Sequence, residues 1–328
     1  MRSQTQTNST LSKTRHHGRF QEHCSYQRNS GSGEERTCRA CKYVLLQKRS
    51  MVSSSQRLLR PPVVTPQMHG MEALRTIMSQ RPLRVRAYPL DDSPSSTNNS
   101  KTVHFIRHGQ GFHNLLADQA SAQGRTWQQF VVSPDNPYTL PEILDAPLTH
   151  KGRQQALALR SRVPDGVELV VVSPNCRALQ TALLATSSTH DAPVVAHEMC
   201  REECGVHICD QRRPIAQQRL DFPTVDFSLL TDDDDEDPLW SPDRRETKEQ
   251  VGERGYAFLE WLEQRPEQHI VVASHSGWLL TLFNGVLECH RPTTTAAAPP
   301  MRSQLLDWWQ TGELRSVRLQ FVRTHSAA

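Results

Sequence analysis

The stretch Thr102-Val-His-Phe-Ile-Arg-His-Gly-Gln-Gly-Phe-His-Asn114 decides the fold class. It opens with β-branched and alternating apolar residues that read as a buried strand, then breaks at Gly109 and Gly111 into a turn feeding a helix. In an α/β sheet ligands gather at the carboxyl ends of strands, which puts Arg107 and His108 at that edge. A neutral imidazole there carries a lone pair able to attack an electrophile. The guanidinium beside it is a planar fork of donors suited to a phosphate dianion, and the glycines let backbone N–H groups approach the same anion.

Further along the chain the same strand-to-turn-to-helix pattern returns. Val167-Glu-Leu-Val-Val-Val172 is a continuous β-branched run, as expected of a strand buried on both faces. Ser173-Pro174 ends it, and a helix over 175–185 places Arg177 on its first turn, just past a second carboxyl edge. His269-Ile-Val-Val-Ala-Ser274 is a third buried strand; it delivers His275 to the edge before a helix over 278–285. Residues 193–196 read as a short strand, and 314–322, where Arg and Ser alternate with apolar residues, as a strand at the sheet edge. Helices are predicted over 111–123, with Asn114 on the first turn, over 153–162 behind a Thr149 cap, and over 247–264, where Val251, Tyr256, Phe258, Leu259 and Leu262 form much of the inward stripe. Strands alternating with helices predict an α/β protein.

Four segments then stand in order: Arg107-His-Gly109 with Asn114 six residues past His108, Pro147-Leu-Thr-His-Lys-Gly152, Ser173-Pro-Asn-Cys-Arg-Ala-Leu-Gln-Thr-Ala182, and Val272-Ala-Ser-His-Ser-Gly277. As a set, over residues 100–325, they resemble the histidine phosphatase superfamily, also called the phosphoglycerate mutase-like family. The resemblance implies a three-layer α/β/α sandwich with a mostly parallel central sheet. It also implies a phosphohistidine on His108, with Arg107, Asn114, Arg177 and Gly109 holding the phosphate and His275 as the second catalytic histidine. The family's acid follows a strand like that at 193–196. Glu202 matches it best and Glu203 is the alternative, although Glu202 stands one residue closer to Gly205 than in the mutases proper. Arg212 and Arg213 are candidates for an anionic part of the substrate, or equally an exposed basic pair. The family needs no metal or other cofactor. A phosphatase is expected, because the basic and aromatic motif that follows the acid in cofactor-dependent mutases is not present after Glu202. The alternatives are mutase-type phosphoryl transfer and an inactive binding protein with the same fold. No Gly-x-Ser-x-Gly elbow points to a serine hydrolase.

The 328 residues, 36% of them hydrophobic, are enough for a real core, and charge divides them. Residues 1–90 hold 16 Lys+Arg against 4 Glu, a net of +12, whereas 91–328 hold 22 basic and 31 acidic residues, a net of −9. Residues 1–95 are therefore expected to be a basic, disordered N-terminal extension, and 96–328 the catalytic domain. Within the extension 71–78 reads as a short amphipathic helix, and 93–100 as a polar linker. Its Arg- and Ser-rich, acid-poor composition fits an organelle address; without one the expected location is cytoplasmic. No apolar run reaches the roughly 20 residues of a membrane span, and no nucleic-acid module is recognisable, so the expected partner is a small-molecule phosphate ester, with the oligomeric state left open. Cys38 and Cys41 lack a second ligand pair with zinc-finger spacing, and Cys200, Cys204 and Cys209 with His207 are expected to pack rather than bind metal. The run Asp232-Asp-Asp-Asp-Glu-Asp237 reads as a solvated loop.

Overall fold

The computed structural model describes residues 70–92, 99–126, 129, 131, 136–186, 192–230, 237–289 and 305–324. All of them belong to one compact unit, residues 56–328. Its centre is an eight-stranded sheet of β1 (Leu83–Pro89), β2 (Ser100–Arg107), β3 (Leu169–Val172), β4 (Val194–Ala196), β5 (Val225–Asp226), β6 (His269–Ser274), β7 (Glu288–Cys289) and β8 (Leu314–Arg323), in the order β5-β4-β3-β6-β2-β8-β1-β7. Among the described residues every neighbouring pair is parallel except those of β8 with β1 and β2.

Period-two patterning explains why helices cover both faces. Val103 and Phe105 of β2, Leu169 and Val171 of β3, and Ile270 and Val272 of β6 enter one core, while Ile106, Val170, Val172, Val271 and Ala273 enter the other. The first core is closed by α1 (Met71–Ser79), α6 (Lys248–Glu263) and α7 (Ser276–Thr281), the last running on into a π-helical turn over Leu282–Val286. The second is closed by α4 (Cys176–Thr186) and α5 (Ile215–Asp221). Helices α2 (Phe112–Ala122) and α3 (His150–Ala158) follow the β2 edge. This is the expected three-layer sandwich.

Three expectations are corrected. The boundary at residue 95 assigns 71–92 to the extension, yet α1 buries Met71, Leu74 and Met78 in the first core, and β1 pairs with β8 over seven residues from Leu83↔Arg323 to Pro89↔Val317. Gly252 of α6 and Gly285 of the π turn make this docking close: a Cβ on either would stand 2.5 or 2.3 Å from a Leu74 methyl. Strand β8 is not at the edge either. It lies between β2 and β1, and its alternation reflects one face turned to the core (Val317, Leu319, Phe321) with the other half-buried. The linker at 93–98, Cys24, Cys38 and Cys41, and residues 232–236 of the acidic run lie outside the described residues. Asp237, the last of that run, is not solvated but buried against Arg201 and the Arg212 amide. No helix among the described residues is long and apolar enough to cross a membrane.

Candidate active site

Three adjacent parallel strands, β2, β6 and β3, end side by side, and the residue after each is polar and buried: His108, His275 and Ser173. Backbone bonds hold them level, from His108 N to Ser274 O (3.0 Å) and from Ser173 N to Ala273 O (3.0 Å). The two imidazole centroids are 5.0 Å apart.

His108 is 1% exposed. Its Nδ1 lies 2.6 Å from the Gly109 carbonyl, which can only accept, so Nδ1 carries the proton and Nε2 the lone pair. Arg177 Nε donates to that Nε2 at 3.3 Å. Burial holds the His108 pKa well below the ordinary imidazole value, the Arg177 and Arg107 charges push it the same way, and the Gly109 bond opposes them. The ring is thus a neutral base among cations.

Arg177, on the first turn of α4, is wholly buried. It also donates to Cys209 O (2.5 Å) and Asp210 Oδ1 (2.8 Å). Burial alone would raise the Asp210 pKa; Arg245 and Arg177 outweigh it and keep the carboxylate ionised. Arg107 donates through Nη1 to Trp309 O, while its Nε is buried with no partner. Burial lowers its pKa to about 10, against the pull of the Glu202 carboxylate. His275 Nε2 is 2.7 Å from Ser173 Oγ, and its Nδ1 is likewise buried and unpartnered. Burial, then Arg177 and His108, hold the His275 pKa well below the imidazole value. Orphaned buried polar atoms are rare, and His113 Nδ1 is a third beside His108.

The two acid candidates separate cleanly. Glu202 seats its carboxylate on the N-terminus of α7, accepting from the amides of Gly277 (3.1 Å) and Trp278 (3.0 Å) beside His275. Glu203 turns away to ion pairs with Lys248 (2.5 Å) and Arg245 (3.3 Å).

Other expected residues sit differently. Asn114 accepts from Gly111 N (3.0 Å), a cap on α2. The Gly109 N–H donates to Thr181 Oγ1 (3.0 Å) rather than into the pocket, and a Cβ on Gly109 would stand 2.3 Å from Gly152 O. The Pro147–Gly152 motif is therefore a close backbone approach, and Thr149 caps α3 as expected, accepting from Gly152 N at 3.1 Å. Arg212 and Arg213 are neither an exposed pair nor free for substrate: Arg212 is buried and bound to Glu198 (2.6 Å), and Arg213 is bound to Asp145 (3.2 Å) and Asp221. Their short side-chain reach to these carboxylates decides their place.

Three residues at the site escape the sequence reading. His113, on the first turn of α2, has its ring 5.5 Å from that of His108, and burial with the nearby Arg177 charge holds its pKa well below the ordinary value. A histidine one position before Asn114 was a usable signal. Ser173 carried a signal too, as the residue that ends a buried strand, whereas Asp210 offered none, since it acts through a long-range contact. Among the described residues no group of three or more His, Cys, Asp or Glu is disposed to hold a metal ion. Cys200, Cys204 and Cys209 are free, buried thiols, and burial pushes Cys204 up to about 12.

A sequence model of the histidine phosphatase superfamily (branch 1) matches residues 139–303, half of the chain and a span that holds Arg177, Glu202 and His275. The chain is 34% identical over 250 residues to Phosphoglycerate mutase-like protein 1 of Arabidopsis thaliana, covering 66% of this chain and 80% of that protein. It is 27% identical over 236 residues to Phosphomutase-like protein 3 of Candida albicans, covering 65% and 69%. Among solved structures, the ecdysone phosphate phosphatase of Bombix mori in complex with tungstate is similar with a TM-score of 0.41 and 17% identity, over 66% of this chain and 88% of that one. With His108, Arg107, Arg177 and His275 gathered at one sheet edge, the family model over half of the chain and the Arabidopsis relative at 34% identity show that the chain belongs to the histidine phosphatase superfamily.

Proposed function

We propose that the protein is a phosphomonoester phosphatase working through a phosphohistidine on His108. The observation that carries this reading is the neutral, buried His108, whose Nδ1 proton is fixed on Gly109 O so that Nε2 faces the Arg177 guanidinium. Nε2 attacks phosphorus in line; the bond to the ester oxygen breaks, and the departing alkoxide takes a proton from Glu202. Water then attacks the phosphohistidine, giving its proton to the same carboxylate, and His108 is released neutral. Arg107 Nε and His275 Nδ1, both buried and without partners, are the donors for phosphoryl oxygens, with Arg177 as the second guanidinium. Gly109, whose N–H is committed to Thr181, shapes the turn that carries His108, and Asn114 caps α2 through Oδ1, which leaves its Nδ2 amide as a further donor for a phosphoryl oxygen.

Two guanidiniums supply the cationic charge that magnesium supplies in many phosphoryl-transfer enzymes, so hydrolysis is expected to proceed in EDTA. The test compares the full-length protein with His108→Ala on a generic phosphomonoester in EDTA. Loss of at least about a thousandfold in kcat is expected; an inactive parent protein, or an active variant, refutes the reading. The relatives named phosphoglycerate mutase-like favour a second reading, phosphoryl transfer between positions of one molecule. Formation of 2-phosphoglycerate from 3-phosphoglycerate faster than release of phosphate would select it.

A further inference from the structure

The Arg107 guanidinium has a neighbour that phosphate binding does not employ. Residues 305–313 run alongside the end of β2, where Gly312 N–H donates to the carbonyls of Arg107 (3.2 Å) and His108 (3.0 Å). Two tryptophans on this segment face opposite ways. Trp309 is fully buried in the first core, whereas the Trp308 residue is 38% exposed, with the Arg107 guanidinium carbon 5.6 Å from its ring centroid. The segment is also held in place: Arg315 donates to the carbonyls of Leu305 (3.1 Å), Asp307 (3.0 Å) and Trp308 (3.2 Å) and lies 4.0 Å from the Trp309 ring centroid. The backbone that carries Trp308 is therefore held before any ligand arrives, which lowers the entropic cost of using its side chain.

A single exposed tryptophan is ordinary surface. This one is informative because it lies against a guanidinium whose Nε is buried and without a partner. In this binding mode a phosphoryl oxygen would accept from that Nε and the first atoms of the alcohol would lie beside the indole, 5.6 Å from the guanidinium carbon. A flat apolar alcohol can stack there and shed water from the exposed ring, while a small polar one leaves the ring wet. We infer that Trp308 is a specificity-determining residue that binds the alcohol portion of an aryl or similarly flat phosphomonoester. The inference rests on the phosphatase reading of the pocket and adds to it the class of leaving group.

The test measures dissociation constants of phenylphosphonate and methylphosphonate, neither of which can be hydrolysed, for the full-length protein and for Trp308→Ala and Trp308→Phe. The parent protein is expected to favour phenylphosphonate by about tenfold. Trp308→Ala loses most of that preference through weaker phenylphosphonate binding, with a much smaller change for methylphosphonate, and Trp308→Phe keeps most of it. Should the alanine variant unfold, Trp308→Leu repeats the test with apolar bulk and no π face. A preference that survives in the alanine or leucine variant, or an equal loss for both ligands, overturns the inference. Turnover of phenyl phosphate separates the two readings: no hydrolysis with the binding preference intact removes the phosphatase and leaves the Trp308 site, whereas hydrolysis without any preference removes only the latter.

Discussion

At the scale of single residues, the side chains around His108 divide into those with free polar atoms and those already committed. Glu202 and Glu203 are neighbours in sequence with opposite commitments, one on the α7 N-terminus beside His275 and the other paired with Lys248 and Arg245. Glu202→Gln should lower kcat by about 10²- to 10⁴-fold on an ester with a poor leaving group, whereas Glu203→Gln should stay within a few fold; steady-state kinetics on both variants checks this, and equal losses would contradict it. Arg107, His108, Arg177 and His275 were legible because each lies at or just past a strand end within a recognisable local pattern. Arg212 and Arg213 were not, because their partners Glu198, Asp145 and Asp221 are set by folding of distant segments. Asp210 went unseen for the same reason. Its carboxylate meets Arg177 across 33 positions of chain, and no spacing rule announces such a pair.

At the scale of elements, the least legible part was the start of the domain. Local composition up to residue 90 is basic and polar, and it conceals that β1 extends the sheet on the far side of β8 while α1 covers the first core. Residues 71–78 were read as a short amphipathic helix, but amphipathicity alone does not say what covers the apolar face, here Met71, Leu74 and Met78. Here Gly252 and Gly285 open the space that Leu74 fills. Leu74→Ala should therefore destabilise the protein by about 2–5 kcal/mol, the usual cost of a core cavity. Chemical denaturation measures it; a change under about 0.5 kcal/mol would return α1 to the status of a dispensable extension. The strands β2, β3 and β6 were read nearly to the residue because central parallel strands are apolar on both faces and so stand out as continuous runs. The place of β8 failed because half-buried alternation is common to an edge strand and to a strand joined by neighbours from elsewhere in the chain.

At the scale of the whole molecule, buried neutral imidazoles link stability to pH. Burial lowers His104, His197 and His207 to about 4, with His269 adding to the effect at His104 and Arg245 at His207. The unfolded chain accepts protons on these groups below about pH 6.5, while the folded chain resists until about pH 4. Their contribution is thus present in full above pH 6.5 and is lost progressively as pH falls from 6.5 toward 4. Denaturation midpoints across that window should fall with pH, and a flat profile would show that these rings are not held neutral by the fold. The assembled site makes its sharpest claim on His108, where a radiolabelled phosphomonoester mixed with the full-length protein and rapidly quenched in alkali should leave an acid-labile, alkali-stable label on that residue. Label on His108, and none in His108→Ala, is the predicted result; turnover with no such label, or label on another residue of the parent protein, would contradict it.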